Sequence, residues 1–281
     1  MAAKKKTAVQ IEMPDKMRFT LYSLLNKYRD LKTKSDIQQD IADAAKEVLR
    51  ERFPASGDCY RVKVKGQGEL LVVHKEIEVS SLRATNNLAS FLELTGRKHL
   101  LQATESKVVK ITYPKDMQNQ DMAKMIRITF ESYPKRNTPE LLQIYREASQ
   151  NSKKIGKQAA NMKKMIDQMI WSATEEESDK VACEIEGIKI SGYTRTSLSL
   201  SPDFHEKYPK AAEMEEFEPF ISKYNRVIFF VGTEQELLAQ QETAKMFALK
   251  KLKKEKEQQE AQTKSEQTNP PEEDFGFDLA L

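Results

Sequence analysis

Cations alternating with aromatic rings are the pattern in this chain with the clearest chemistry. In Tyr60-Arg61-Val62-Lys63-Val64-Lys65 a charge recurs at every second residue, and Lys75 follows on the next apolar run. On an extended strand that repeat is ~6.6 Å, near the phosphate spacing of a drawn-out single strand of nucleic acid. Tyr133 with Lys135 and Arg136, Tyr193 with Arg195, and Tyr224 with Arg226 repeat the pairing of ring and cation. A stacked base can gain ~1–3 kcal/mol on such a ring, and each neutralised phosphate adds a salt-dependent contribution. Charges along one side of a half-exposed strand are also ordinary sheet chemistry, so the pattern gains weight only from its recurrence. The candidate nucleic-acid surface is therefore Tyr60, Arg61, Lys63, Lys65, Lys75, Tyr133, Lys135, Arg136, Tyr193 and Arg195.

Catalytic chemistry finds less support. The three histidines, His74, His99 and His205, have no second ligand at HxxxH, HxH or HxxE spacing. Cys59 and Cys183 stand far apart with no further Cys or His at ligand distance, which reads as reduced thiols on strands. Val231-Gly232-Thr233 follows an apolar strand but lacks the further glycines and the lysine of a phosphate loop. The inventory points to binding without turnover, with no catalytic residue, metal or cofactor expected.

The elements that must hold these residues follow from periodicity. After Pro14 the apolar residues Phe19, Leu24, Leu25, Tyr28 and Leu31 recur at three and four. A second helix is expected from a cap at Ser35 or Asp36 to Arg52, so the two form an amino-terminal helical hairpin. The period then falls to two. Tyr60–Lys65 and Leu70–Val79 make a β-hairpin around Gly66-Gln67-Gly68, followed by a helix from Ser80 or Ser81 to Gly96 and a strand from Val108 to Tyr113. Met122, Met125, Ile126 and Phe130 space as a helix, although Ile126 to Phe130 also alternates as a strand would. The stretch after Thr138 and Pro139, through Ile155, Ala159, Met162, Ile166 and Met169 to Trp171, is the most regular helix in the chain, its methionines suited to a core or an oligomer seam. Strands are expected at Val181–Ile190, at Tyr193–Leu200 across a turn at Ser191-Gly192, and at Arg226–Val231. A long helix begins at the Thr233 cap.

The last residues differ in kind. Pro270-Pro271 cuts off Glu272-Glu273-Asp274-Phe275-Gly276-Phe277-Asp278-Leu279-Ala280-Leu281, where acids alternate with greasy side chains that a short segment cannot bury by itself. This tail resembles the carboxyl-terminal tip of the single-stranded-DNA-binding protein family, which carries acids and terminal aromatic or aliphatic residues after a disordered linker. It departs from the bacterial pattern by ending on Leu281 instead of Pro-Phe. The resemblance covers about the last ten residues, and implies a docking role for Phe275, Phe277, Leu279 and Leu281 toward a replication or recombination protein.

Composition sets the remaining bounds. The formal charge of +3 becomes +7 once the four tail acids are set aside, so a basic body carries an acidic end. No apolar run approaches the ~20 residues that cross a bilayer, and the amino end lacks a signal-peptide core, so no membrane partner and a cytoplasmic location, host cytoplasm if viral, are expected. The chain reads as α+β, with mixed or antiparallel sheets, the amino-terminal helical hairpin and a disordered acidic tail. Its expected divisions are a flexible basic start (1–14), an α+β unit (15–174), a second α+β unit ending in a charged helix (175–262) and a linker with the tail (263–281). The function expected is largely sequence-independent binding of nucleic acid, most of all single-stranded DNA, in replication or recombination, in a viral or phage setting. The alternative is an assembly protein forming a homo-oligomer with the tail as its docking peptide.

Overall fold

Asp15–Arg52 is one unbroken helix, α1, in the computed structural model, which describes residues 8–117, 130–174, 178–243 and 245–247. The expected hairpin turn near Ser35 is absent because this stretch holds no Gly or Pro, and Ser35 has another use. Its hydroxyl donates to the Ser152 carbonyl (3.1 Å) on a second long helix, α3 (Thr138–Ser172). The two helices lie antiparallel: Leu21 and Leu25 share a cluster with Ile166 and Ile170, whereas Ala45 and Leu49 share one with Leu141 and Leu142. Between those ends the buried residues are small, with Ser35 and Ala42 facing Ala148, Ser152 and Ala159. Gly156 belongs to this close approach, since a Cβ there would stand 3.2 Å from the Ser35 hydroxyl. Phe19, expected on the apolar face, is exposed instead.

A sheet packs on each end of the helix pair. The four-stranded sheet has the order β1-β5-β6-β4, formed by Val9–Gln10, Lys180–Ile185, Ile188–Leu200 and Leu101–Thr112. The three-stranded antiparallel sheet has the order β2-β3-β7, formed by Cys59–Val64, Gly68–Leu82 and Ile221–Gly232. β6 pairs with β4 and β7 with β3 over full length, so the boundary expected at 174/175 falls inside a single unit ending at Gly232. The amino-terminal β1 joins parallel to β5, and Ile11 N–H continues the ladder to the Ala182 carbonyl (2.9 Å), which anchors part of the segment expected to be flexible.

Three hydrophobic clusters result. Leu21, Leu24, Leu25, Ile166 and Ile170 meet Val109, Val181, Ile185, Ile188 and Ile190 under the four-stranded sheet. Ala45, Leu49, Leu141 and Leu142 meet Val64, Leu70, Val72 and Tyr133 under the three-stranded one. The third gathers Leu88 and Leu92 of α2 (Asn86–Leu94), Leu100, Phe204 of the short α4 (Pro202–Lys207), Ala211 and Phe217. Each fully buried Leu or Ile contributes ~1.5–3 kcal/mol. Arg97 braces this third cluster, donating from Nη1 to the Tyr208 hydroxyl (2.9 Å) and Glu216 (3.0 Å) while stacking over Phe91 at 5.2 Å.

Both long ribbons, β3/β7 and β4/β6, end at the third cluster through Leu82, Phe220, Leu101 and Leu200. Along α1, Leu25 and Ala45 are ~30 Å apart. Val72 to Leu82 on β3 spans ~33 Å and Leu101 to Val109 on β4 ~26 Å. The clusters thus sit at the corners of a triangular frame with sides of similar length. Between the corners the ribbons are exposed on both faces, as at Glu76, Glu78 and Ser80 on β3 and Ala103, Glu105 and Lys107 on β4.

Several local turns differ from expectation for identifiable reasons. β3 runs on to Leu82, and α2 starts after Thr85, whose hydroxyl accepts from Leu88 N–H. Asn137, not Thr138, caps α3, its side chain accepting from Glu140 N–H at 2.9 Å. The turn between β5 and β6 is Glu186-Gly187, both at positive φ, and Ser191-Gly192 lies inside β6. The helix expected over 122–130 lies almost wholly outside the described residues. Thr233 opens the second unit with reciprocal bonds, its N–H to Glu236 Oε2 (2.8 Å) and Glu236 N–H to its hydroxyl (3.2 Å), before helical residues 234–243.

Candidate nucleic-acid interface

Strand parity divides the four-stranded sheet into two chemically different faces. Val109, Ile111, Val181, Ile185, Ile188, Ile190 and Gly192 point to the helices. The opposite face of β4 presents Gln102, Thr104, Ser106, Val108, Lys110 and Thr112, and that of β6 presents Lys189, Ser191, Tyr193, Arg195, Ser197 and Ser199. No carboxylate occurs among them. β5 adds Lys180, Ala182 and Glu184, the last directly opposite Lys189.

Register places the chemistry at the middle of this face. Tyr193 stands between Val108 on one side and Lys180 on the other, Arg195 faces Ser106, and Lys110 faces Ser191. Neighbouring strands are ~4.8 Å apart and alternate residues ~6.6 Å, so Lys180, Arg195 and Lys110 stand next to an aromatic ring that is 38% exposed, with Lys189 ~13 Å further along the strand. Among the described residues Lys110, Lys180, Lys189 and Arg195 enter no ion pair. Ser197 and Ser199 donate to the Thr104 and Gln102 carbonyls (both 3.3 Å), tying β6 to β4 along this part of the ribbon.

Gly192 fixes the backbone beneath that ring. A Cβ there would stand 2.5 Å from Val181 Cγ2, because the strand is pressed on the helix side by Trp171. Lys107 Nζ lies over the indole at 5.0 Å, on the same inner face. The single tryptophan of the chain thus reports on the reverse side of the Tyr193 strand.

The three-stranded sheet repeats the arrangement more weakly. Its outward residues include Arg61, Lys63, Lys75, Arg226 and Tyr224, the tyrosine 43% exposed, together with the apolar Ile77 and Ile228. Arg61 is engaged with Glu69 Oε2 at 3.0 Å. Glu76 and Glu78 fall on the other face of β3.

The remaining sequence candidates are dispersed. Tyr60 points the opposite way from Arg61 and Lys63, its ring 5.2 Å from Phe53 in the core and its hydroxyl 3.0 Å from Ser56. Tyr133 is only 3% exposed, and burial pushes its hydroxyl pKa up, partly opposed by Arg136 stacked at 5.7 Å. Neither ring offers a stacking face. Lys135 and Arg136 are exposed at the approach to α3, and Lys65 is exposed just before the Gly66 turn, away from both tyrosine-bearing faces. Phe275, Phe277, Leu279 and Leu281 lie outside the described residues. Sequence reasoning passed over Lys110, Lys180 and Lys189; placing the turn at Glu186-Gly187 would have given Lys180 and Lys189 the parity of Tyr193, whereas Lys110 joins that face only through the register of β4 on β6.

Of the three histidines, His74 is buried and bonds through Nδ1 to the Phe53 carbonyl (2.6 Å), whereas His99 and His205 are exposed. Among the described residues no three His, Cys, Asp or Glu side chains gather where a metal ion would fit, and no helix is long and apolar enough to cross a membrane. Comparison of the chain with protein families, with curated proteins and with solved structures finds no match.

Proposed function

We propose that this protein binds nucleic acid, single-stranded DNA above all, with little sequence preference, on the outward face of β4, β5 and β6. The observation that carries the reading is Tyr193, exposed among Lys110, Lys180, Lys189 and Arg195 on a face whose β4 and β6 positions hold no acid. A flat ring with cations at strand spacing suits a splayed strand, whose bases stack while its phosphates are neutralised. The tail keeps the role its sequence suggests, recruiting a replication or recombination protein through Phe275, Phe277, Leu279 and Leu281.

Fluorescence anisotropy with a labelled oligothymidine, a duplex and an RNA of equal length, at two salt concentrations, tests the reading. The single strand should bind tightest, and more weakly at the higher salt. Tyr193→Ala and Arg195→Ala should each weaken binding, while Lys98→Ala, at a lysine paired with Glu93 beside α2, should not. Absence of binding at low salt, or affinity indifferent to Tyr193 and Arg195, overturns it.

A further inference from the structure

An unpaired sheet edge is a row of free backbone donors and acceptors, and proteins ordinarily protect it. Among the described residues no strand lies beyond β1, β2, β4 or β7, and β1 is only two residues long. β2 is short and carries Arg61 and Lys63, a common form of protection. β7 carries Lys223 and Arg226 and no acid, so no register of β7 against itself sets opposite charges together. β4 is different. It extends from Leu101 to Thr112, its Gln102–Lys107 half is exposed, and Glu105 and Lys107 flank Ser106 symmetrically.

We propose that β4 pairs antiparallel with β4 of a second copy of this chain about a twofold axis through Ser106. In that register Glu105 of each copy faces Lys107 of the other, Ala103 faces Val109, and Leu101 faces Ile111 on the inner face. On the outer face Gln102 meets Lys110 and Thr104 meets Val108, so no pair sets like charges opposite each other. Moving the axis by one residue sets Glu105 against Glu105 or Lys107 against Lys107, and like charges directly opposite are unfavourable. The charges therefore favour this register over its immediate neighbours. An isologous contact of this kind closes after two copies. The result is one continuous eight-stranded sheet, in which the two Tyr193 faces lie on the same side.

Sedimentation of the full chain without nucleic acid, over a range of concentrations, reads the association directly and independently of any ligand. The parent should form a dimer. Glu105→Lys turns both contacts into Lys against Lys, and Lys107→Glu turns both into Glu against Glu. Each alone should weaken dimerisation ~10-fold or more, given that both cross-strand charge pairs change sign. An equimolar mixture of the two variants restores opposite charges at both contacts and should re-form a dimer. That mixture also shows that both variants are folded. Ser106→Cys should in addition yield a covalent dimer on mild oxidation beyond that of the parent, since the two Cβ atoms face each other across the axis. A parent that sediments as a monomer throughout, charge reversals without effect, or folded variants that fail to re-associate when mixed would each overturn the proposal.

Discussion

Trp171 rests directly on the backbone of Gly192: a Cβ at that glycine would stand 2.9 Å from Cζ2 of the indole. The next residue, Tyr193, points to the other side of the sheet, so packing on the inner face sets the height of the ring on the outer face. Core and candidate surface are joined through a single peptide unit.

Gly192→Ala should therefore destabilise the protein. The new methyl meets Val181 Cγ2 and the indole, and overpacking of this sort costs ~1–3 kcal/mol. Urea unfolding followed by the Trp171 emission reads it, and an unchanged midpoint would show that the strand can shift without cost.

Salt should separate the two contributions at the interface. On the proposed reading Arg195→Ala removes one phosphate contact and should lower the slope of log affinity against log salt by ~1. Tyr193→Ala removes a stacking face and should weaken binding ~5–100-fold with the slope kept. A slope that changes with Tyr193→Ala and not with Arg195→Ala would assign the roles the other way round.

Tyr113 makes stability depend on alkaline pH. Burial first, then the neighbouring Tyr28, pushes its pKa to about 12 from an ordinary value of 10, and its hydroxyl donates to the Leu25 carbonyl (2.7 Å). The folded state holds this proton more tightly than the unfolded chain does. The contribution is complete below pH 10 and is lost as pH rises toward 12. Urea midpoints across that window should fall less steeply in Tyr113→Phe than in the parent, and equal slopes would count against this account.

The two thiols should differ in reactivity. Cys59 is exposed on β2, whereas Cys183 is half-buried in β5 with its pKa raised by burial, partly offset by Arg18. Alkylation of the native protein near neutral pH should modify Cys59 first. Mass spectrometry of the modified peptides gives the order, and faster labelling of Cys183 would contradict it.

Much of the fold was legible in the sequence, and what was not has physical causes. The β2/β3 hairpin was plain from its period of two and its Gly66 turn, and α3 from its heptad-like spacing. Ser35-Asp36 looks like a cap because Ser and Asp cap helices, but a serine can equally bond a facing helix, and only the position of Ser152 decides between them. Gly192 looks like a turn because nothing local announces Trp171 across the core. The shared face of Tyr193 and Arg195 was legible because they stand two residues apart on one strand, while the burial of Tyr60 and Tyr133 was not, because burial follows from tertiary packing and not from neighbours in sequence.

The triangular frame also bears on how the chain reaches its native state. β3 is complete at Leu82, yet its neighbour β7 begins only at Ile221, after the chain has passed through both other corners. During synthesis the strand must wait for more than a hundred further residues, with Val72 and Leu70 covered first by α1 and β2 and by α3 only once residues 138–172 have been made. Such distant pairing predicts slow folding, and it makes the interval before β7 emerges the one in which a chaperone has most to shield.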